Sequence, residues 1–349
     1  MFSTQHLCLG SDVRIQSFMN DGGEFERFSI ETFTPVESAD VSPEIHWERR
    51  QKRWQRKSFV IAAVLFLLTL VSTLVVGASF AASYALGQSP DIDGFFSMYG
   101  TLLYHPQLLL AGVPFAFTLL AILLAHELGH YFACRYYGIS ASYPYFIPAP
   151  TLIGTLGAFI RIRSPIQNRK ALFDVGLAGP VVGFLFAIPA LAIAITYSKV
   201  IPLSQGHPSV LFGNPLALRI LLALLRPGVP PSELLLHPVG RAAWVGLFAT
   251  ALNLLPGGQL DGGHILYAAA SKYHKGVTLV LALLLIPLGY RFWAGWYLWA
   301  ALLLGLGFRH PPLLYQGGPL DRTRLIWTAV AVLIFILTFM PMPVLVRGN

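Results

Sequence analysis

The residues best suited to chemistry are His126, Glu127 and His130, which form an H-E-x-x-H sequence within a long apolar stretch. If residues 106–137 are helical, the two histidines lie one turn apart on one face, with Glu127 beside them. This spacing suits two imidazoles on one Zn²⁺ and a carboxylate next to its water. Three ionisable groups in an apolar helix indicate a water-accessible functional site, because such groups are costly in hydrocarbon. The competing interpretation is a helix end whose histidines meet lipid headgroups.

The composition is that of an integral membrane protein. Of 349 residues, 55% are hydrophobic and only 11% are charged. The net charge of +8 does not indicate a nucleic acid partner, because the basic residues form short clusters between apolar runs, as cytoplasmic loops do. The two cysteines, Cys8 and Cys134, form neither a disulfide framework nor a C-x-x-C pair.

These clusters and runs predict an all-α polytopic membrane protein with about six to seven transmembrane helices. Residues 1–57 are predicted to be a polar, acidic cytoplasmic tail that ends in a basic cluster, without a cleaved signal peptide. Residues 58–346 are predicted to be a membrane-embedded domain. The predicted spans are 59–86, 108–137, 174–198, 240–256, 276–308 as one long bent helix or a hairpin of two, and 325–346.

Two connecting regions are predicted to have structure of their own. Thr155–Arg163 alternates toward its end, which predicts a short strand or β-hairpin on the cytoplasmic side, beside the motif helix. Asp174 opens the third span and is predicted either to cap it or to take part in catalysis. Residues 199–238 are predicted to lie on the outer side, in a re-entrant or an interfacial arrangement.

Asp261 is the best candidate for a third metal ligand. The fourth span enters from outside and delivers Asp261 to the same depth as the two histidines, within a glycine-rich turn over 256–263 that can line a cavity. The alternative is an Asp-Gly turn without a metal. His264 is a candidate for a ligand or for a support of Asp261. Asn253 is predicted either to bind substrate backbone or to join two helices, and Cys134 is predicted to be a small core residue.

The combination of these motifs resembles the site-2 protease family of intramembrane zinc metalloproteases. The pairing of HELGH in one helix with Asn253-x-x-Pro256 and Leu260-Asp261-Gly262 in a later one carries the likeness. The resemblance extends over residues 100–310 and is strongest to chloroplast membrane proteases and their bacterial relatives. It rests further on YPYFIP at 143–148, GTLGA at 154–158, LAGP at 177–180 and His237-Pro238. The PDZ domain of many relatives is not expected in this chain, which puts any substrate gating by such a module in doubt.

The resemblance implies one Zn²⁺ per chain on His126, His130 and Asp261, with Glu127 as the general base. It also implies a membrane-protein substrate with a transmembrane helix, which must unwind locally before cleavage. We expect the strand to hold the unwound segment by β-addition. The residues predicted to bind substrate are Asn253, Phe159, Ile160, Arg161, Ile162 and Arg163.

Two other classes of function are open. A zinc-binding but inactive membrane regulator or chaperone would need the ligands without the base, and the presence of Glu127 argues against it. A transporter would spread its intramembrane His and Asp along a pathway, whereas here they meet at one depth. The expected location is the bacterial inner membrane, with an organellar membrane as the alternative.

Overall fold

The computed structural model describes residues 43–201, 209–305, 313, 315 and 318–347. Most of the predicted acidic tail therefore lies outside the described residues. The chain divides into two units, Met1–Arg53 and Trp54–Asn349. All residues of the candidate site belong to the second unit.

The described residues are mostly helical, with three pairs of short strands. The helices are α1 (Pro43–Leu86), α2 (Ile92–Tyr104), α3 (Val113–Tyr136), α4 (Arg169–Tyr197), α5 (Leu216–Leu225), α6 (Pro238–Asn253), α7 (Asp261–Ala270), α8 (His274–Arg291), α9 (Gly295–Gly305) and α10 (Arg322–Thr338). The strands are β1 (Tyr145–Pro148), β2 (Thr155–Phe159), β3 (Lys199–Val200), β4 (Ser209–Phe212), β5 (Leu234–Leu235) and β6 (Val344–Arg347).

Three helical segments among the described residues are long and apolar enough to cross a membrane: Ser58–Leu86, Pro106–Tyr136 and Arg169–Tyr197. They coincide with the first three predicted spans. The remaining predicted spans fall on α6, α8 with α9, and α10. Of these, α6 and α10 have only 16 and 17 residues. A total of six to seven spans therefore stays a prediction.

Residues 276–308 were predicted as one long bent helix or a hairpin of two helices. Their described part forms two helices. Helix α8 ends at Arg291 and α9 begins at Gly295. The two helices pack against each other, because a Cβ added at Gly289 would lie only 2.9 Å from the ring of Tyr297. The chain turns back between them instead of continuing in one direction.

Helices α3, α4 and α6 form the centre of the protein. Helix α4 lies against α3, α6 and α7, and α6 is buried along almost its whole length. Close approach of α3 and α4 depends on small residues, since a Cβ added at Gly129 would lie 2.6 Å from the Ala178 carbonyl oxygen. The largest apolar cluster lies between α3, α6, α8 and α9, around Phe115, Trp244 and Trp296.

One strand pair is local, and the other two connect distant parts of the chain. Strands β1 and β2 are antiparallel, with Tyr145 opposite Phe159. Strand β2 is shorter than the predicted Thr155–Arg163 and ends at Phe159; beyond it, Ile162 forms an isolated bridge with Ala141. In the region 199–238, β3 pairs with β5, and β4 pairs with the C-terminal β6. The described part of this region is therefore a mixture of short strands and α5.

Helix α4 starts five residues before the predicted 174, at Arg169, and Asp174 is not its cap. Asn168 caps it, since its side chain accepts a hydrogen bond from the Ala171 N–H at 2.9 Å. Asp174 instead forms an ion pair with Arg324 of α10 and accepts a hydrogen bond from the Tyr137 hydroxyl. This network joins the ends of α3, α4 and α10.

Candidate metal centre

Helix α3 brings the two motif histidines together. The side chains of His126 and His130 lie one turn apart, and their Nε2 atoms are 3.1 Å from each other. Both rings are buried, and so is Glu127 between them. The apolar residues around the motif make this segment helical, while the i,i+4 spacing points both imidazoles to one side.

Asp261 completes this group from a separate helix. It is the first residue of α7, and its Oδ2 lies 3.2 Å from His126 Nε2 and 3.3 Å from His130 Nε2. The three atoms form a nearly equilateral triangle. Ligand atoms about 2.0–2.2 Å from one tetrahedral ion are themselves roughly 3.3–3.6 Å apart. The donor set of two imidazoles and a carboxylate is also one that Zn²⁺ accepts.

A buried oxygen without a hydrogen bond supports the fit to a cation. Asp261 Oδ2 has no hydrogen-bond partner among the described residues, although both Nε2 atoms are close to it. Both Nε2 atoms are within contact distance of this oxygen. Such an oxygen is costly to bury unless it binds something. The arrangement of His126, His130 and Asp261 therefore fits a metal ion.

The orientation of His130 is set by the backbone of α4. Its Nδ1 donates a hydrogen bond to the Val175 carbonyl oxygen at 2.7 Å. This leaves Nε2 with a lone pair that faces the other two ligand atoms. A carbonyl partner behind a ligating histidine is the usual way in which proteins fix its tautomer.

Two glycines of α4 make room for the two rings. A Cβ added at Gly179 would overlap the His130 ring, and one at Gly183 would lie 3.0 Å from His126 Nδ1. Since Gly179 faces His130 and Gly183 faces His126, the two helices run antiparallel. The sequence analysis did not place these glycines beside the ligands. Their spacing of four, equal to that of the histidines, was the available signal.

The turn before Asp261 is held by α8. His274 Nε2 donates to the Gly258 carbonyl oxygen at 2.9 Å, and Thr278 Oγ1 accepts from the Gly258 N–H at 3.1 Å. Gly258 has a φ of +63°, which favours glycine. Neither His274 nor Thr278 was predicted from the sequence, because nothing local relates them to Asp261.

Glu127 has a partner from the segment that follows β2. The Ile160 backbone N–H donates a hydrogen bond to the Glu127 carboxylate. The carboxylate also lies close enough to interact electrostatically with all three candidate ligands. A donor on one side and the histidines on the other hold the carboxylate at the edge of the metal site.

Asn253, at the end of α6, lies at the site. The side chains of the other predicted substrate-binding residues, 159–163, point elsewhere. Asn253 Nδ2 is 3.2 Å from His126 Nε2. Phe159 packs against the ring of Tyr145 at 5.5 Å, and the side chains of Arg161 and Arg163 are exposed. The partly buried side chains of Ile160 and Ile162 pack against the cluster around Cys134. Of these five predicted residues, a contact with the site is described for Ile160 alone, through its backbone.

The remaining candidates lie outside the triangle. His264 does not contribute to the group of three ligand atoms among the described residues. Its Cβ lies close to Gly176 of α4. Cys134 is fully buried in an apolar cluster with Ile139, Ala171 and Val175, as the sequence predicts for a small core residue.

Comparison with known proteins agrees with this chemistry. The family model for Peptidase family M50 matches residues 114–286. This range includes both histidines, Glu127, Asn253 and Asp261. No solved structure matches the chain.

Several chloroplast proteins are similar in sequence. The probable zinc metalloprotease EGY1, chloroplastic, of Arabidopsis thaliana is 34% identical over 229 residues, which are 63% of this chain and 40% of that protein. The corresponding EGY2 of Oryza sativa subsp. indica is 32% identical over 271 residues, 72% of this chain and 46% of that protein. EGY3 of the same organism is 28% identical over 249 residues, 64% of this chain and 41% of that protein.

In each case the chain spans less than half the length of the relative. The family is one of zinc metalloproteases, and the donor set described above suits that metal. The chain therefore carries a peptidase family M50 domain, of the site-2 protease type, and is homologous to the chloroplast EGY proteins.

Proposed function

We propose that this membrane protein is an intramembrane zinc endopeptidase that hydrolyses a peptide bond in or near the transmembrane segment of another membrane protein. The observation that carries the proposal is the triangle of His126, His130 and Asp261 atoms, with sides of 3.1–3.3 Å and Glu127 beside it. The site is buried among helices that include two candidate spans, which favours a substrate within the bilayer.

The chain's own residues supply the proton transfers. Zinc, when bound, lowers the pKa of its water and polarises a carbonyl oxygen. In the proposal, Glu127 accepts the proton that the attacking water loses and then donates it to the leaving nitrogen. The hydrogen bond from the Ile160 N–H keeps the carboxylate oriented between these two transfers.

Asn253 is proposed to bind the substrate. A His126 Nε2 that donates its lone pair to a metal cannot also accept a hydrogen bond from Asn253 Nδ2. The amide, 3.2 Å away, then becomes available to another acceptor at the site. A carbonyl oxygen of the unwound substrate would meet this need.

The segment after β2 is proposed to hold the unwound substrate as an added strand. Arg161 and Arg163 direct backbone groups toward residues 140–142, with Ser142 N donating to the Arg161 oxygen at 3.0 Å and Arg163 N to the Ser140 oxygen at 2.8 Å. In an extended chain the backbone groups of Ile160 and Ile162 face the opposite edge. The hydrogen bond from the Ile160 N–H to Glu127 supports a free edge that faces this general base. A peptide added there would lie beside the metal site.

The number of membrane spans and their orientation are part of the same proposal. We infer six to seven spans, with the N-terminus and the β1–β2 pair on the same side of the membrane, which is the cytoplasmic side in a bacterium. The basic residues at 49–57 and 161–170 support this orientation. The relatives named chloroplastic favour an organellar membrane over the bacterial inner membrane of the sequence prediction.

Cleavage of a single-pass substrate in reconstituted membranes tests the function. Wild type, Glu127→Gln and Asp261→Asn are compared, and zinc per chain is measured on the same preparations. We expect Glu127→Gln to retain zinc and to lose about 10²–10⁴-fold in cleavage rate. Asp261→Asn should lose both the bound zinc and the cleavage activity.

The main rival function is a zinc-binding membrane regulator without proteolytic activity. If wild type binds one zinc and cuts no member of a library of transmembrane substrates, the regulator is the better description. If Asp261→Asn retains wild-type zinc content, the proposed third ligand is wrong.

A further inference from the structure

A cavity of about 450 Å³ lies near the N-terminal end of α6. Its walls come from α5, α6, the paired strands β4 and β6, and the segment after α10. Two indole N–H groups brace these walls: Trp244 donates to the Gly213 oxygen at 2.6 Å and Trp296 donates to the Pro341 oxygen at 2.7 Å. The volume is within the range of small-molecule sites, roughly 300–1,000 Å³.

Arg241 is the unusual residue of this cavity. It lines the cavity, yet its residue is only 9% exposed. The ring of Phe212 covers its guanidinium group at 4.4 Å. Among the described residues, no carboxylate forms an ion pair with it and no oxygen accepts a hydrogen bond from it. The cavity lining, as described, contains no Asp or Glu.

An unpaired buried charge is costly, and the position of Arg241 adds to the cost. It lies in the first turns of α6, which begins at Pro238, and the N-terminal end of a helix is positive. A cation there is repelled, whereas an anion would be attracted by both the helix and the guanidinium group. A guanidinium group carries five N–H donors, so an arginine that lines a cavity suits a phosphate, sulfonate or carboxylate.

The rest of the lining indicates what the anion is attached to. Most of the lining side chains are apolar, among them Leu218, Phe339 and Met340. Apolar side chains also surround the mouth of the cavity, where Met342 is 39% and Leu345 is 40% exposed. A small, fully hydrated anion gains nothing from such walls. A molecule with an acidic head and an apolar chain would use both.

We propose that this cavity binds the acidic head group of an anionic membrane lipid, with Arg241 as its ion-pair partner and the apolar walls against the adjoining chain. Arg219, which is exposed and also lines the cavity, provides a second positive charge for the same head group. The site is separate from the metal centre, because Arg241 and Asn253 lie near opposite ends of α6, about 18 Å apart along its axis.

Native mass spectrometry of the purified full chain in detergent tests the proposal. Phosphatidylglycerol and phosphatidylcholine with identical acyl chains serve as the anionic and the neutral probe. We expect wild type to bind phosphatidylglycerol about tenfold more tightly or better, since charged hydrogen bonds account for such a factor. Arg241→Gln should lose most of this preference, with Arg219 as the remaining positive charge. Arg322→Gln is the matched control, because Arg322 is exposed and lies outside the cavity.

Two further measurements keep the test decisive. Zinc content and melting temperature establish that Arg241→Gln is folded, and Arg241→Lys should retain most of the preference because it keeps the charge. Phosphatidylglycerol should raise the melting temperature of wild type but not of Arg241→Gln. An equal preference in wild type and Arg241→Gln overturns the proposal. Displacement of the lipid by millimolar inorganic phosphate would assign the cavity to small anions instead.

Discussion

The two ends of α6 place buried charges in opposite surroundings. At the Asn253 end, the candidate ligands are crowded: His130 has a carbonyl behind its ring, and glycines leave no free volume beside either histidine. At the Arg241 end, a charge without a partner among the described residues faces a cavity of about 450 Å³. The first arrangement suits a single ion of fixed size. The second suits a larger ligand whose shape can vary.

The strongest test of this contrast adds one methyl group to the crowded end. Gly179→Ala places a Cβ where the His130 ring lies, so the ring must move out of the triangle. We expect zinc affinity and cleavage to fall by about 100-fold or more. Gly100→Ala is the control, since no atom lies within 4 Å of a Cβ at that helical position. Wild-type zinc content in Gly179→Ala, measured by atomic absorption, would contradict the crowding argument.

A second test removes the donor that orients the base. Ile160→Pro lacks the backbone N–H that reaches Glu127. A hydrogen bond to a charged group is worth about 1.5–3 kcal/mol, so we expect kcat to fall about 10–100-fold while zinc content is unchanged. Ile160→Val keeps the N–H and should be nearly as active as wild type. An effect confined to KM would assign Ile160 to substrate binding alone.

A third test loosens the turn that carries Asp261. Thr278→Val preserves the shape of the side chain but removes the oxygen that accepts from the Gly258 N–H. We expect zinc affinity to fall about tenfold, the lower end of the range for residues behind metal ligands. Competition with a chelator measures it. Thr196→Val, at an exposed hydroxyl that bonds within its own helix, should have wild-type affinity.

The smallest expected effect is on the melting temperature, when each of two arginines is replaced by methionine. Arg324 is paired with Asp174 and Asp321, whereas Arg241 has no such partner among the described residues. In neutral detergent, Arg324→Met should lower the melting temperature by a few degrees. Arg241→Met should leave it unchanged or raise it, because an unpaired buried charge is removed. A large loss of stability in Arg241→Met without added lipid would show that the guanidinium group is already satisfied.

The same comparison has a pH dependence. The pKa of Asp321 is held below its usual value, chiefly by a hydrogen bond from the Arg324 backbone N–H. The Arg324 guanidinium group lowers it further, whereas desolvation opposes the shift. A lowered carboxyl pKa contributes stability above the usual value near 4, and this contribution is lost as the pH falls through the folded-state pKa. Arg324→Met keeps the backbone N–H and removes only the guanidinium contribution, so the difference in melting temperature between wild type and Arg324→Met should narrow below about pH 4 by that contribution alone.

The parts of the site that could be predicted from sequence depend on local periodicity or on membrane depth. The i,i+4 spacing places His126 and His130 on one face of any helix, and the alternation of spans brings Asp261 to their level. The contacts that could not be predicted join segments with no common pattern: the Ile160 N–H with Glu127, and His274 with the turn at Gly258. These depend on tertiary packing, which hydropathy does not encode.

The fold shows the same division. Apolar runs predict the candidate spans Ser58–Leu86, Pro106–Tyr136 and Arg169–Tyr197 with boundaries within five residues, because length and hydropathy are properties of the segment itself. The polar N-terminal part of α1, which begins at Pro43, was not predicted as helix. The pairing of β4 with β6 joins residues more than 130 positions apart and has no signal in either strand. The start of α4 was misplaced because Asp174 is an attractive cap in sequence, whereas the true cap, Asn168, stands before two basic residues.

The separation of the ligands along the chain has a consequence for biosynthesis. Two candidate ligands come from α3, but Asp261 follows His130 by 131 residues, after α4, α5 and α6 have been made. The donor set is therefore incomplete until α7 has been synthesised and has packed against α4. Metal loading must therefore follow assembly of the helices, and a partly made chain has no complete metal centre.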